Sequence, residues 1–238
     1  MPQITEAQLA ATIDHAILGP QMTRADVDAQ LDIAREWKVF SVCVRPSDIA
    51  YAVARLDGSG VNVGTVIGFP HGTTSTAAKV AEARQAIADG ATELDMVVNI
   101  GWLRSGLDDA VVEDIRAVTE ASGSLITKVI LETAYLDDEQ IARGSRLTEA
   151  GGADFVKTST GFAGGGATVE HVRIMRENVG PGVQVKASGG VRSLATALEM
   201  LDSGATRLGT SGSATILGEL RTVLAGGDAS GAVDTTSY

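Results

Sequence analysis

The chain has 238 residues, and its 19 basic and 30 acidic side chains give a net charge of −11. This balance disfavours a nucleic-acid-binding protein, which needs a basic surface, although one lysine or helix N-terminus is enough to bind a phosphate group. Hydrophobic residues make up 44% and charged residues 21% of the chain, which excludes a disordered or fibrous protein.

Short apolar runs rich in β-branched residues recur along the chain. Each run is almost continuously apolar, which is typical of parallel strands that are covered on both faces of a sheet. The predicted strands are residues 12–14, 39–44, 61–67, 92–98, 125–131, 153–157, 183–187 and 206–209.

Amphipathic stretches separate these strands. Several of them begin with a capping residue and end before a glycine, at 90, 151–152 and 204, which is expected to take a left-handed conformation at the helix end. The predicted helices are residues 23–37, 47–56, 75–89, 107–122, 137–150, 168–178, 193–202 and 213–224.

Eight strand–helix units in this chain amount to about 30 residues each, the size of one βαβ step. The sequence therefore predicts the α/β class and a single-domain (β/α)8 TIM barrel over residues 1–225. A doubly wound open sheet is the alternative. Residues 226–238 are rich in small and polar residues, and they are expected to form a short flexible C-terminal tail.

The cysteine content and the N-terminal sequence indicate where in the cell the protein is expected. The single cysteine, Cys43, excludes a disulfide within the chain and favours a cytoplasmic protein. The N-terminus lacks the pattern of a signal peptide, and no segment reaches the roughly 20 apolar residues of a membrane span. We therefore expect a cytoplasmic protein that binds neither a membrane nor nucleic acid.

Two lysines, Lys157 and Lys186, close predicted strands that are one strand–helix unit apart. Catalytic groups of a β/α barrel lie at such strand ends, and neighbouring strands are about 4.8 Å apart. Two ammonium groups at that distance disfavour each other's charge, so one amine is pushed towards neutrality and can attack a carbonyl group. The other interpretation, a buried ion pair between lysine and carboxylate, stays open at this point.

Asp95 is a carboxylate inside an apolar predicted strand, a costly position unless it is paired. We expect it to pair with Lys186 or Lys128, and to move protons while an imine forms and is hydrolysed. A purely structural ion pair is the alternative. Further polar residues at strand ends are Asp14, His15 and Glu132.

Loops rich in glycine and serine follow the last three predicted strands, at residues 158–161, 188–190 and 209–213. Successive N–H groups at helix N-termini bind anions, and three such loops beside two lysines predict a phosphorylated substrate. The three histidines and one cysteine lack metal-ligand spacing, and no Gly-x-Gly-x-x-Gly motif follows the first strand. We therefore expect no metal and no nicotinamide cofactor.

Two motifs, Lys-Thr-Ser-Thr-Gly at 157–161 and Lys-Ala-Ser-Gly-Gly-Val-Arg at 186–192, resemble the 2-deoxyribose-5-phosphate aldolase family. The resemblance implies a β/α barrel that reversibly cleaves 2-deoxy-D-ribose 5-phosphate to D-glyceraldehyde 3-phosphate and acetaldehyde through a lysine imine, without metal or cofactor. Further matching stretches follow in the family order, at residues 13–15, 41–46, 66–70, 93–99, 128–133, 154–162 and 207–211.

The resemblance also implies a role for individual residues. Lys157 would form the Schiff base, Lys186 would lower its pKa and assist proton transfer, and Asp95 would relay protons. The other implied residues are Gly161, Gly189, Gly190, Gly209 and Ser211 around the phosphate, Asp14, Cys43, Lys128 and Thr160 around the pocket, and Tyr238, which would close over the site.

One position departs from the family pattern, because Gly212 stands after Ser211 where some relatives carry a second serine. Backbone N–H groups or Ser213 are expected to complete the phosphate site. The expected partners are a phosphorylated sugar and acetaldehyde, and the expected assembly is a homodimer. Two alternative functions remain: another Schiff-base barrel aldolase with a different phosphorylated substrate, and a phosphosugar-binding barrel without turnover.

Overall fold

The computed structural model of the protein describes residues 4–235. Eight parallel strands close into a barrel, in which neighbours along the chain pair in order and the last strand pairs with the first. The predicted barrel is thus confirmed, and the strand ends differ from the predicted ones by at most three residues. Strands β1 to β8 are Ile13–Ile17, Ser41–Val44, Asn62–Ile67, Glu93–Val97, Ile126–Ile130, Phe155–Lys157, Gln184–Ser188 and Arg207–Thr210.

Ten α-helices surround the strands in the part of the chain that the structure describes. Every predicted helix is present. The sequence analysis misses two helices of five residues, which are too short to display a helical period and are capped by Thr5 and Asn99. Helices α1 to α10 are Glu6–Ala10, Arg24–Trp37, Ile49–Leu56, Thr76–Ala88, Ile100–Arg104, Asp108–Ser122, Asp138–Ala150, Val169–Glu177, Leu194–Asp202 and Ser213–Leu224.

The aliphatic core lies between the strands and the surrounding helices. Leu94 and Met96 of β4 are completely buried in it. Side chains of a strand alternate between its two faces, so Asp95 points the other way, into the barrel. The register places Asp95 beside Lys128 of β5. Asp95 and Lys128 therefore lie side by side inside the barrel.

Glycines end several helices before the next strand begins. Gly90, Gly152 and Gly204 have φ angles of 100°, 83° and 110°, which confirms the left-handed conformation expected after these helices. No helix in residues 4–235 has both the length and the apolar character that crossing a membrane requires.

The segment after α10 carries no helix or strand up to residue 235. It nevertheless returns to the barrel: Gly231 donates its N–H to the Glu219 carboxylate at 2.6 Å, and Asp234 donates its N–H to the carbonyl of Arg192 at 2.9 Å. Val233 between these contacts is 55% exposed. The segment thus lies along one end of the barrel, beside the turn that follows β7.

Candidate active site

Lys157 and Lys186 are directly opposite each other on β6 and β7, as the sequence predicts. Both ammonium groups donate to the same oxygen, Oδ2 of Asp95, at 2.8 Å each. Lys128 donates to the other oxygen, Oδ1, at 2.7 Å. One carboxylate therefore serves three lysines, and the expected pairing of Asp95 is confirmed.

Two further carboxylates and an arginine surround this group. Asp14 accepts hydrogen bonds from Lys186 at 2.5 Å and from Arg207 at 2.7 Å. Glu93 accepts from Lys128 at 2.7 Å and from Arg207 at 3.2 Å. We call this set the interior charge network; its members are Asp14, Glu93, Asp95, Lys128, Lys157, Lys186 and Arg207.

The charges of the interior charge network do not balance when all its groups are ionised. Four cations face three carboxylates, which leaves a net charge of 4 − 3 = +1 in a region where every member is at most 8% exposed at its side chain. A buried net charge is unfavourable. Loss of one proton from one lysine removes the imbalance.

The electrostatic surroundings identify Lys157 as that lysine. Burial lowers the pKa of Lys157, Asp95 raises it, Lys186 lowers it, and the net direction is downward. Burial has the same effect on Lys186, but Asp14 and Asp95 outweigh it and raise the pKa of Lys186 well above its usual range. Lys186 accordingly stays charged while Lys157 is the easier amine to deprotonate.

Asp95 is held in its ionised form. Its burial alone would raise the pKa of the carboxyl group, but Lys128, Lys157 and Lys186 together hold that pKa well below its usual range. A carboxylate bound to two amines whose pKa values are shifted in opposite directions is suited to receive a proton from one and return it.

A cavity opens above Lys157 at the C-terminal ends of the strands, and we call it the reaction cavity. It contains most of the site residues expected from the sequence. Of these, the reaction cavity is lined by Asp14, Cys43, Lys157, Thr160, Gly161, Lys186, Gly189, Gly190, Gly209 and Ser211.

Of the other expected residues, three lie away from the cavity wall and a fourth is not described. Asp95 lies below the reaction cavity, and Lys128 lies there as well, 1% exposed between Glu93 and Asp95 rather than on the wall. Tyr238 is outside the described residues. Ser213 does not reach the cavity, because its buried hydroxyl bonds to Nδ1 of His15 at 2.8 Å. The expectation that Ser213 completes a phosphate site is therefore wrong, and the alternative, backbone N–H groups beside Ser211, stays a prediction.

The glycines of the cavity wall are needed for two different reasons. Gly189 and Gly190 have φ angles of 79° and 76°, a conformation that other residues rarely adopt. Gly209 has ordinary dihedrals, but a Cβ atom there would lie 2.5 Å from Oγ of Ser188 and 3.2 Å from Cε of Lys186. Any side chain at Gly209 would therefore press on the lysine.

The sequence analysis assigned no individual role to four residues of this region, although Ser188 lies in one of the predicted anion-binding loops: Ser188, Arg192, Glu93 and Arg207. Ser188 and Arg192 line the reaction cavity, and the Ser188 hydroxyl is buried without a hydrogen-bond partner in the described part of the chain. Glu93 precedes Asp95 by two residues and Arg207 precedes Gly209 by two. The alternation of strand residues was the signal that would have placed both inside the barrel.

Metal ligands are not grouped in this site. Within residues 4–235, no group of three histidine, cysteine or carboxylate side chains is arranged to hold a metal ion. His15 is completely buried, burial lowers its pKa to about 4, and its Nε2 bonds to Gln30 at 2.8 Å. This histidine is a neutral structural group.

Known proteins are similar in sequence to this chain over most of its length. The DeoC/LacD family aldolases match residues 8–219. Deoxyribose-phosphate aldolase from Staphylococcus haemolyticus is 51% identical over 208 residues, which cover 87% of this chain and 94% of the relative. Deoxyribose-phosphate aldolase 1 from Staphylococcus aureus is 52% identical over 205 residues, covering 86% and 93%.

Solved structures agree with the sequence relatives. Deoxyribose phosphate aldolase from Aeropyrum pernix, described as tetrameric, superimposes with a TM-score of 0.83 at 30% identity over 92% of this chain and 93% of that chain. The aldolase QR15 gives a TM-score of 0.87 at 39% identity, covering 91% and 98%. The chain belongs to the DeoC/LacD family of aldolases.

Proposed function

We propose that this protein cleaves 2-deoxy-D-ribose 5-phosphate reversibly to D-glyceraldehyde 3-phosphate and acetaldehyde, with Lys157 as the residue that forms the imine. The observation that carries the proposal is the pair of lysines on one oxygen of Asp95, of which the cavity-lining Lys157 has the lowered pKa. The names of the relatives from Staphylococcus support the choice of substrate.

The first half of the reaction forms the imine. The neutral Lys157 amine attacks C1 of the open-chain sugar, and loss of water gives a protonated imine. A proton then leaves the C3 hydroxyl, the C2–C3 bond breaks, and its electron pair moves into the iminium to give an enamine. The iminium formed with lysine accepts this electron pair more readily than a free carbonyl group does.

The second half releases acetaldehyde. D-Glyceraldehyde 3-phosphate leaves, a proton adds to C2 of the enamine, and water hydrolyses the imine to acetaldehyde and free Lys157. Asp95 accepts a proton in these steps, and the charged Lys186 donates one and takes it back afterwards. Asp95 bonds to both lysines, so it links the two amines. The turns with Gly189, Gly190 and Ser211 hold the phosphate through backbone N–H groups.

Trapping of the imine tests this assignment. Borohydride reduction in the presence of acetaldehyde is expected to add an ethyl group to Lys157 of the wild-type protein and none to Lys157→Leu, as read by peptide mass. An ethyl group on Lys128 would overturn the lysine assignment but retain the reaction class. Trapping with a ketose phosphate or a keto acid but not with acetaldehyde would indicate a different aldolase, and binding of the sugar phosphate without cleavage would indicate a protein without turnover.

We also propose that residues 1–225 are the catalytic unit, that Tyr238 in the tail closes over the site, and that the protein assembles as a homodimer. The tetrameric relative from Aeropyrum pernix supports self-association in general. Light scattering of the full chain measures the assembly, and removal of residues 226–238 measures the contribution of the tail to the cleavage rate. A cytoplasmic location stays a prediction.

A further inference from the structure

Glu132, directly after β5, has an unusual backbone for its residue type. Its φ and ψ angles are 59° and 67°, in the left-handed region that residues with a side chain rarely occupy. Such a conformation persists only when its surroundings impose it, and it is concentrated at functional sites. The side chain is 1% exposed, so the surroundings that impose it are inside the protein.

The Glu132 carboxylate is fully engaged by one residue, Thr160. The N–H of Thr160 lies 3.3 Å and 3.2 Å from the two carboxylate oxygens, and the Thr160 hydroxyl donates to Oε2. No lysine or arginine nitrogen of residues 4–235 lies within 4.0 Å of this carboxylate, in contrast to Asp95 and Glu93. The contact therefore fixes a loop and does not balance a charge.

The held loop is part of the reaction cavity. The Thr160 hydroxyl also accepts a hydrogen bond from the N–H of Phe162 at 3.0 Å, which closes a turn around Gly161. Thr160 and Gly161 both line the reaction cavity. On either side of Glu132, the N–H groups of Leu131 and Thr133 bond to the carbonyls of Lys157 and Thr158. We call the contact between Glu132 and Thr160 the Glu132 clamp; it lies directly beside the strand that carries Lys157.

We propose that Glu132 is a positioning residue that gives the enzyme its preference for a phosphorylated substrate. It acts through Thr160, by holding the turn that keeps Gly161 on the wall of the reaction cavity. The inference rests on the proposed function, in which Gly161 belongs to the phosphate site. The Lys157 ammonium donates to Asp95 and has no hydrogen bond with Glu132 or Thr160 in the described residues, so only the charge of Glu132 acts on it.

Two variants each remove one partner of the clamp: Glu132→Gln and Thr160→Val. The matched control is Glu139→Gln, which changes an exposed carboxylate of the same strand–helix unit. For each clamp variant we expect KM for 2-deoxyribose 5-phosphate to rise about tenfold, as for loss of a hydrogen bond to a charged group. Inhibition by inorganic phosphate should weaken in parallel. Acetaldehyde carries no phosphate, so the rate of its borohydride trapping on Lys157 should change by less than about twofold.

The double variant decides whether one contact is responsible. If Glu132 acts through Thr160, the double variant resembles either single variant, whereas independent roles multiply their effects. Unchanged KM with a lowered unfolding temperature would reduce Glu132 to a structural residue and overturn the proposal. Slower acetaldehyde trapping would overturn it as well. Loss of the Glu132 charge favours the neutral Lys157 amine, so a slower rate would mean that Glu132 positions Lys157 itself. Failure of the proposed function is a separate result, seen as absence of trapping in the wild-type protein.

Discussion

Two buried lysines, Lys79 in the helix layer and Lys157 in the barrel, show how the same residue type acquires different properties. Lys79 of α4 is completely buried, donating to Asp114 of α6 at 2.6 Å and to the carbonyl of Val97 at 2.9 Å. Lys157 is 4% exposed and donates to Oδ2 of Asp95, an oxygen that also accepts from Lys186. Both lysines are buried and both are paired.

The difference lies in how many cations each carboxylate serves. Within the described residues, Asp114 pairs with one ammonium group, that of Lys79. The other carboxylate oxygen of Asp114 accepts from the Thr76 hydroxyl at 2.7 Å. Asp95 serves three lysines, one of which faces a cavity. Burial and pairing therefore do not separate Lys79 from Lys157, whereas the number of cations on each carboxylate and the access to a cavity do.

Replacing each lysine by methionine should affect a different property of the protein. Lys157→Met should have the larger effect, on the cleavage rate. We expect the cleavage rate to fall by at least about 10⁴-fold, as for loss of a covalent nucleophile. The unfolding temperature should stay near that of the wild-type protein, because Asp95 retains Lys128 and Lys186. Enzyme-coupled detection of glyceraldehyde 3-phosphate and thermal unfolding measure the two quantities; retention of a tenth of the rate would contradict the role of Lys157.

Lys79→Met should show the opposite pattern. It leaves the Asp114 carboxylate buried without its cation, and removing one partner of a buried ion pair costs about 3–5 kcal/mol of unfolding free energy. Urea unfolding measures this loss, while kcat of the folded fraction should be unchanged. The control is Lys79→Met combined with Asp114→Leu, which removes the unpaired charge and should recover part of the stability. An equal loss in the double variant would show that packing rather than charge is responsible.

The sequence was sufficient for the fold and for the neighbourhood of the two strand-end lysines. The repeat of strands, helices and glycine caps predicts the barrel, and the spacing of Lys157 and Lys186 places them on adjacent strands. Parallel pairing in order then leaves little freedom, so the observed register of these lysines follows. The two short helices α1 and α5 were missed because their contacts with the rest of the protein, and not a sequence period, keep them helical.

The sequence was insufficient where distant segments meet. The bond between Ser213 and His15 joins residues 198 positions apart, and no local pattern indicates it. The same holds for Arg207, which reaches Asp14 and Glu93 across the barrel. The Glu132 clamp depends on a left-handed residue that is not glycine, and side-chain propensities predict against that conformation.

Lys186→Met should change the pH dependence of the reaction of Lys157. Lys186 is a cation that lowers the pKa of Lys157, while Asp95 and Cys43 raise it, so its removal raises that pKa. The neutral amine is the form that reacts, and its fraction rises as pH rises through the pKa. The pH profile of acetaldehyde trapping on Lys157 should therefore move to higher pH, and the cleavage rate at pH 7 should fall about 100-fold as proton transfer is lost as well. A move to lower pH would contradict the electrostatic role of Lys186.

Lys79→Met is the matched control for this pH experiment, since it removes a buried cation from the helix layer. Its trapping profile should coincide with that of the wild-type protein. At high pH the Lys186→Met profile should approach the wild-type trapping rate, because the amine is then neutral in both proteins. The cleavage rate should stay low there, which separates the effect of Lys186 on the pKa from its part in proton transfer.

The smallest expected effect concerns Cys43, which lines the reaction cavity beside the lysines. Burial and Asp95 raise the pKa of its thiol to about 11, although the lysines oppose this shift. The thiolate fraction at pH 8 is then about 10⁻³, so alkylation by iodoacetamide should be on the order of 100-fold slower than for an exposed cysteine. Mass spectrometry of the intact protein over time measures the rate. Lys186→Met should slow the alkylation further because a nearby cation is lost. Lys79→Met should leave it unchanged, since neither Lys79 nor Asp114 is among the charges that shift the pKa of Cys43. Rapid alkylation of the wild-type protein would mean that the lysines, and not burial, control the electrostatics of this cavity.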